Sequence, residues 1–196
     1  MLVVGWETAV VDDDAMPVVV VAGGGSTRFG SDKLAADLGG HTVLDRLLDD
    51  LPPAWPVVVV GPRREVRRSG VRWTREEPPG GGPLAAAAAG MALVEGPVVG
   101  VVAGDMPFAG PVLAQLRSVL LSSGTDAAVA VDDDGHANPL LAVYRTAAVR
   151  RLLPGPVTGG RAKRLLELEH ERVPVPGRRS RDVDTPEDLE RLRRRR

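Results

Sequence analysis

Four consecutive valines, Val18–Val21, lead through Ala22 into the glycine triplet Gly23–Gly25, and this junction constrains the fold more than any other stretch of the chain. A run of β-branched residues without polar alternation suits a strand covered on both faces, the kind found in the parallel sheet of an α/β domain. The glycines that follow reach backbone conformations that a Cβ forbids, so successive N–H groups can converge on one anion. Arg28 then offers a forked donor and Lys33 a mobile point charge, a pair suited to a triphosphate and to pyrophosphate.

Two familiar phosphate loops are excluded by spacing. A P-loop places Lys and then Ser or Thr directly after its last glycine, whereas Gly30 is followed by Ser31, Asp32 and only then Lys33. The dinucleotide fingerprint needs a third small residue where Arg28 stands, and no clear acidic partner follows about 20 positions on.

Further apolar runs at Val57–Val60, Val98–Val102 and Ala127–Val131 read as strands. Helical stretches at Val43–Leu51, Leu84–Val94 and Pro111–Leu121 alternate with them, which predicts crossover units and a mostly parallel sheet. Thr185, Pro186 and Asp188 predict a capped final helix. A length of 196 residues suits one domain, expected over residues 17–196. Residues 1–16 lack the basic start and apolar core of a signal peptide and read as an N-terminal extension, with Met16 an alternative start.

Composition narrows the functional classes. Basic and acidic residues balance at a net charge of −1, so no overall field favours nucleic acid or an anionic membrane. The valine runs fall far short of the roughly 20 apolar residues of a membrane-spanning helix. The chain has no cysteine, which removes disulfides and thiolate chemistry and fits a cytoplasmic setting. The oligomeric state is not legible.

In an open parallel sheet, ligands gather at the carboxyl ends of the strands, beside the point where strand order reverses. The glycine loop belongs there, and Asp105, which follows the strand at Val98–Val102, is expected to project from the same edge. A carboxylate opposite a phosphate loop suits Mg²⁺, which takes one or two carboxylates together with phosphate oxygens. Gly82, Pro83 and Leu84 open an alanine-rich helix whose first N–H groups face the nucleotide in this reading. His41, His136 and His170 share no metal-binding spacing, Asp132–Asp134 before Gly135 reads as a polar turn, and Arg193–Arg196 complements a helix end.

AGGGSTRFGSDK, EEPPGGGPLAA, AGDMPF, NPLLAVYR and DVDTPEDL stand in this order along the chain. Together they resemble the nucleotidyltransferases related to molybdenum cofactor guanylyltransferase. The resemblance implies a Rossmann-like, three-layer α/β nucleotidyltransferase fold. It implies transfer of GMP from GTP to a molybdopterin-type phosphorylated acceptor with release of pyrophosphate, Mg²⁺ being the metal. On the matching positions, Ala22, Gly23, Gly24, Gly25, Ser26, Arg28 and Lys33 would hold the triphosphate, Glu76 the nucleoside, and Asn138 and Pro139 the acceptor. Arg28, Lys33 and Asp105 would be catalytic, with Asp105 and Asp184 as metal ligands, although some relatives carry Asn in place of Asp184.

Three alternatives stay open at this level: a cytidylyl-transferring relative, a nucleotidyltransferase acting on another small phosphorylated acceptor, and an inactive nucleotide-binding protein. AGG at Ala22–Gly24 favours the guanylyl branch. Val60 and Gly61 stand where guanylyl-transferring relatives often supply an Asn for the base, and neither side chain can hydrogen-bond.

Overall fold

A seven-stranded sheet forms the middle layer, with strand order β3-β2-β1-β4-β6-β5-β7, in a computed structural model that describes residues 15–24 and 29–194. The strands are β1 (Val18–Val21), β2 (Val57–Val60), β3 (Arg72–Thr74), β4 (Val98–Ala103), β5 (Ala127–Val131), β6 (Ala137–Arg145) and β7 (His170–Pro174). The helices are α1 (Val43–Asp49), α2 (Pro83–Met91), α3 (Gly110–Ser122), α4 (Thr146–Leu152) and α5 (Pro186–Arg194).

β1 pairs in parallel with β2 on one side and β4 on the other, and β6 runs antiparallel to both β4 and β5. That reversal follows from the connection, since the short turn at Asp132–His136 allows a hairpin but no crossover. The expected Rossmann-like, mostly parallel α/β architecture is therefore present with one antiparallel strand in the sheet.

The valine runs supply both cores. Val18, Val20, Val57 and Val59 face Leu44, Leu47, Leu113 and Leu116 on the side covered by α1, α3 and α5. Val19, Val21, Val58 and Val60 face Leu84, Ala87 and Met91 on the opposite side, where α2 and α4 lie. Each fully buried valine contributes about 1.5–3 kcal/mol relative to an exposed one, so a strand covered on both faces anchors two layers at once.

Helix ends are set by local chemistry. Thr42 Oγ1 accepts from Asp45 N at 2.9 Å to start α1. The Arg68 guanidinium collects the carbonyls of Leu48, Leu51, Pro52 and Trp55 at 2.8–2.9 Å where that helix ends. At α5 the expected cap is reciprocal: Thr185 Oγ1 accepts from Asp188 N at 3.2 Å, and Asp188 Oδ2 accepts from Thr185 N at 2.9 Å.

Residues 1–14 of the expected extension lie outside the described residues. Met16, which the sequence reading assigned to that extension, is fully buried beside Val18 in the core. The packed domain thus includes Met16, because Gly100 on β4 leaves space that the Met16 side chain fills.

α2 lies so close to the sheet that a Cβ on Gly90 would stand 2.4 Å from Val19 Cγ1 and 2.8 Å from Val60 Cγ2. Helix propensity alone would make Gly90→Ala stabilising by about 1 kcal/mol. Stiff β-branched neighbours cannot yield that space, so the overpacking term of about 1–3 kcal/mol wins. Denaturant unfolding of Gly90→Ala is expected to show a lower midpoint; an equal or higher midpoint would contradict this packing.

Candidate active site

The carboxyl end of β1 is the point from which the site is built. Ala22 N donates to Val60 O at 2.8 Å and Gly104 N donates to Val21 O at 2.9 Å, so the chain leaves β1 hydrogen-bonded to both neighbours. Gly61 makes this convergence possible, because a Cβ there would fall 2.5 Å from Ala22 O. Gly23 and Gly24 begin the loop, with Gly24 at φ +120°, and Gly25, Ser26 and Arg28 lie outside the described residues.

Lys33 starts the 3₁₀ turn Lys33–Ala35, whose N-cap Asp32 accepts from Leu34 N at 3.2 Å. Its ammonium lies 2.6 Å from Asp105 Oδ2 and 2.8 Å from Asp184 Oδ1. Burial alone would lower the pKa of this ammonium, but the charges and hydrogen bonds of Asp105 and Asp184 outweigh burial and hold it above the usual lysine range. Two expected site residues from one edge of the sheet are therefore in direct contact, and Asp184 joins them from the segment before α5.

That segment is fixed by Val183 N donating to Asp105 O at 2.9 Å, with the Val183 side chain fully buried. An extended backbone then turns residues 182 and 184 to the same face. Candidate ligand oxygens of Asp105, Asp182 and Asp184 lie within 4.8 Å of one another. Asp105 Oδ1 is buried and has no hydrogen-bond partner among the described residues. An orphaned carboxylate oxygen beside two further carboxylates fits a hard divalent cation with oxygen preference. Although Asp182 is exposed as a residue, enough protein surrounds its carboxyl to push the pKa up, and the charges of Asp105 and Asp184 push it further.

Asp182 was not among the residues expected from sequence. The signal was present in the i, i+2 spacing of Asp182 and Asp184, but their common face depends on Val183 being anchored to Asp105. Arg64 was also missed. Its guanidinium grips Asp32 and Ala22, and nothing in the spacing of PRREVRR sets it apart from Arg63, Arg67 and Arg68.

Glu76 is buried, with Oε1 accepting from Gly80 N at 3.0 Å. It lies beneath the glycine loop, since a Cβ on Gly23 would stand 3.7 Å from Oε1, and Oε2 has no hydrogen-bond partner among the described residues. Gly82, at φ +89°, is the N-cap of α2 and provides no side-chain cap, with Pro83 and Leu84 in the first turn. Asn138 Oδ1 accepts from Leu140 N at 2.9 Å while its Nδ2 sits 3.5 Å from Met106 Sδ, so it lies beside the turn that carries Asp105. Pro139 O accepts from the buried Tyr144 hydroxyl at 2.8 Å.

Asp132, Asp134 and His136 also come together, with candidate ligand atoms within 4.8 Å. Asp132 Oδ1 is already engaged by Asp134 N at 3.0 Å and His136 N at 2.8 Å, which makes the group the polar turn of the β5–β6 hairpin.

Residues 18–173 match the sequence family described as the MobA-like NTP transferase domain. This chain belongs to that family. The MobA-like domain is 52% identical over 42 residues to molybdenum cofactor guanylyltransferase of Sinorhizobium fredii, an alignment covering 21% of this chain and 19% of that protein. It is 34% identical over 99 residues to the probable molybdenum cofactor guanylyltransferase of Natronomonas pharaonis, covering 46% of this chain and 49% of the relative. These alignments therefore span less than half the length of either curated relative. Molybdopterin-guanine dinucleotide biosynthesis protein A from Archaeoglobus fulgidus superposes with a TM-score of 0.69 at 26% identity, covering 91% of this chain and 97% of that one.

In the MobA-like domain the Lys33 ammonium occupies the gap between Asp105 and Asp184, so it competes with any divalent cation for those carboxylates. Lys33→Ala is expected to tighten Mn²⁺ binding to the nucleotide-free protein by on the order of 10-fold, measured by electron paramagnetic resonance titration. Unchanged or weaker Mn²⁺ binding would show that the lysine and the metal do not share this position.

Proposed function

We propose that this MobA-like domain is a Mg²⁺-dependent nucleotidyltransferase that transfers GMP from GTP to the phosphate of a molybdenum–molybdopterin acceptor in the cytoplasm. The observation that carries the reading is the meeting of Lys33, Asp105 and Asp184 at the mouth of the glycine loop. Membership of the family supports nucleotidyl transfer, and the curated guanylyltransferase relatives support the choice of nucleotide and acceptor.

In this reading an acceptor phosphate oxygen attacks the α-phosphorus of GTP, a new P–O bond forms, and the bond to the β-phosphate breaks to release pyrophosphate. A phosphate monoester is already anionic at neutral pH, so the step needs no general base, and the absence of a histidine from the described site agrees with that. Asp105 and Asp184 would hold the metal, with Asp182 beside them, and a bound divalent cation would neutralise the α-phosphate oxygens. Lys33, which contacts Asp105 and Asp184 in the ligand-free chain, would stabilise charge on the leaving pyrophosphate, and Arg28 would add its forked donor. Gly23–Gly25 and Ser26 would offer backbone N–H groups to the triphosphate, and the first turn of α2 at Gly82–Leu84 would add to them. Asn138, beside the turn that carries Asp105, and Pro139 would meet the acceptor.

Base selection rests on a small set of groups. The Gly61 N–H is committed to Thr74 O at 2.9 Å, and Pro62 has no N–H to offer. The unpartnered Oε2 of Glu76 is the acceptor left beside the loop for the guanine N–H edge or the ribose. GTP is expected to exceed CTP, ATP and UTP in kcat/KM. A single unmade hydrogen bond costs about 1–3 kcal/mol, so the margin should lie in the range of roughly 5- to 150-fold. A competition assay with all four nucleotides and the cofactor acceptor decides it, and CTP winning would move the chain to the cytidylyl reading.

Pyrophosphate release from purified protein, Mg²⁺, GTP and the acceptor tests the reaction itself. Asp105→Ala should lower turnover by at least about 100-fold while leaving the unfolding midpoint near that of the parent, because the metal loses its buried anchor. A folded Asp105→Ala variant with near-normal turnover would remove Asp105 from the mechanism, and silence of the parent with every nucleotide would favour an inactive binder.

A further inference from the structure

The glycine loop leaves β1 at Ala22 and returns at Asp32, and a single side chain from beyond the end of β2 holds both points. Arg64 Nη1 donates to Ala22 O at 3.2 Å and to Pro62 O at 3.0 Å. On the other side of the same guanidinium, Nε donates to Asp32 Oδ2 at 2.6 Å and Nη2 to Asp32 Oδ1 at 3.1 Å. Only 14% of the Arg64 side chain is exposed, which separates this fork from the surface pairs whose net effect is near zero.

The consequence reaches Lys33 through one residue. Asp32 caps the turn that begins at Lys33, so fixing the Asp32 carboxylate fixes the point from which the Lys33 side chain departs toward Asp105. We propose that Arg64 is a positioning residue that clamps both ends of the glycine loop and sets Lys33 against Asp105 before any triphosphate arrives. Groups held in their binding positions before a ligand arrives lower the ordering cost of binding, and the affinity rises accordingly. The planar fork is essential to this role, since an ammonium is a point donor that cannot span Asp32 and the carbonyls in the same geometry. The identity of the ligand as a nucleoside triphosphate rests on the function proposed above, whereas the clamp itself does not.

Two measurements on the full chain separate those layers. Amide hydrogen exchange in the ligand-free protein should be accelerated about 10-fold at Leu34 and Ala35 in Arg64→Gln, with Val19 and Val59 unchanged. Arg64→Lys should fail to restore the parent rate, and Asp32→Asn combined with Arg64→Gln should be no faster than the greater single variant. GTP and GMP affinities by calorimetry should then split, GTP weakening about 10-fold in Arg64→Gln and GMP less than about twofold. Unchanged exchange at Leu34 overturns the clamp, as does acceleration spread equally to Val19 and Val59, which would mark a general stability role. Equal losses for GTP and GMP overturn its link to the phosphates. Failure of the parent to bind GTP would sink the nucleotide reading, and the exchange rates would still decide the clamp.

Discussion

β1 has neighbours on every side, and the rest of the molecule is arranged around that condition. Its backbone is hydrogen-bonded to β2 and β4, and its four valines are shared between two hydrophobic layers. At its carboxyl end the chain emerges from this enclosure, with Gly23 and Gly24 exposed. There Gly24 takes φ +120°, which side chains rarely adopt, Gly23 lies against Glu76, and Gly61 approaches Ala22 within a distance no Cβ would allow. β2 and β4 carry the chain away on opposite sides, and the opening between their exits is where Lys33, Asp105 and Asp184 meet.

That opening is electrostatically unfavourable as it stands. One ammonium lies among three carboxylates, and burial first, then the charges of Asp105 and Asp184, push the Asp182 carboxyl above its usual range. Lys33 and Asp105 are both largely withdrawn from water, so their attraction must offset their desolvation, and Asp105 keeps an oxygen with no hydrogen-bond partner among the described residues. Enzymes retain such clusters where a cation and charged phosphates enter, because each then replaces solvent lost on folding. The cost is carried by the packed sheet below, and the site itself does little to hold the fold together.

Much of this was legible in the sequence, for a physical reason. Residues that must satisfy a local rule are visible locally: valines buried on both faces, the glycines after β1, the Thr185 and Asp188 cap, and Asp105 at the end of an apolar strand. β3, β6 and β7 were not read as strands. Arg72–Thr74 forms a short, half-exposed edge, and β7 buries Val173 alone, so neither shows an apolar run. Met16 was read as the end of an extension and an alternative start, because its packing depends on the space over Gly100, a residue far along the chain. Arg64 and Asp182 act through tertiary partners whose positions no spacing rule supplies, and they were hidden among arginines and in a turn before a helix.

The same distinction explains why phosphate chemistry is easier to read here than base selection. Phosphates are recognised by charge and by backbone N–H groups, and a chain that needs them must spend glycines, a lysine and carboxylates in a recognisable order. A base edge is read by one or two hydrogen bonds, and any correctly placed group serves. At the end of β2 the obvious backbone donor is already consumed by Thr74, and the following proline removes another. In the function proposed, selection would fall to Glu76, whose Oε1 accepts from Gly80 N and whose Oε2 has no hydrogen-bond partner among the described residues. A carboxylate that both shapes the loop and reads the ligand couples the two tasks. A change at this position would alter loop geometry and base preference together, so substitution there is a poor route to changing one without the other.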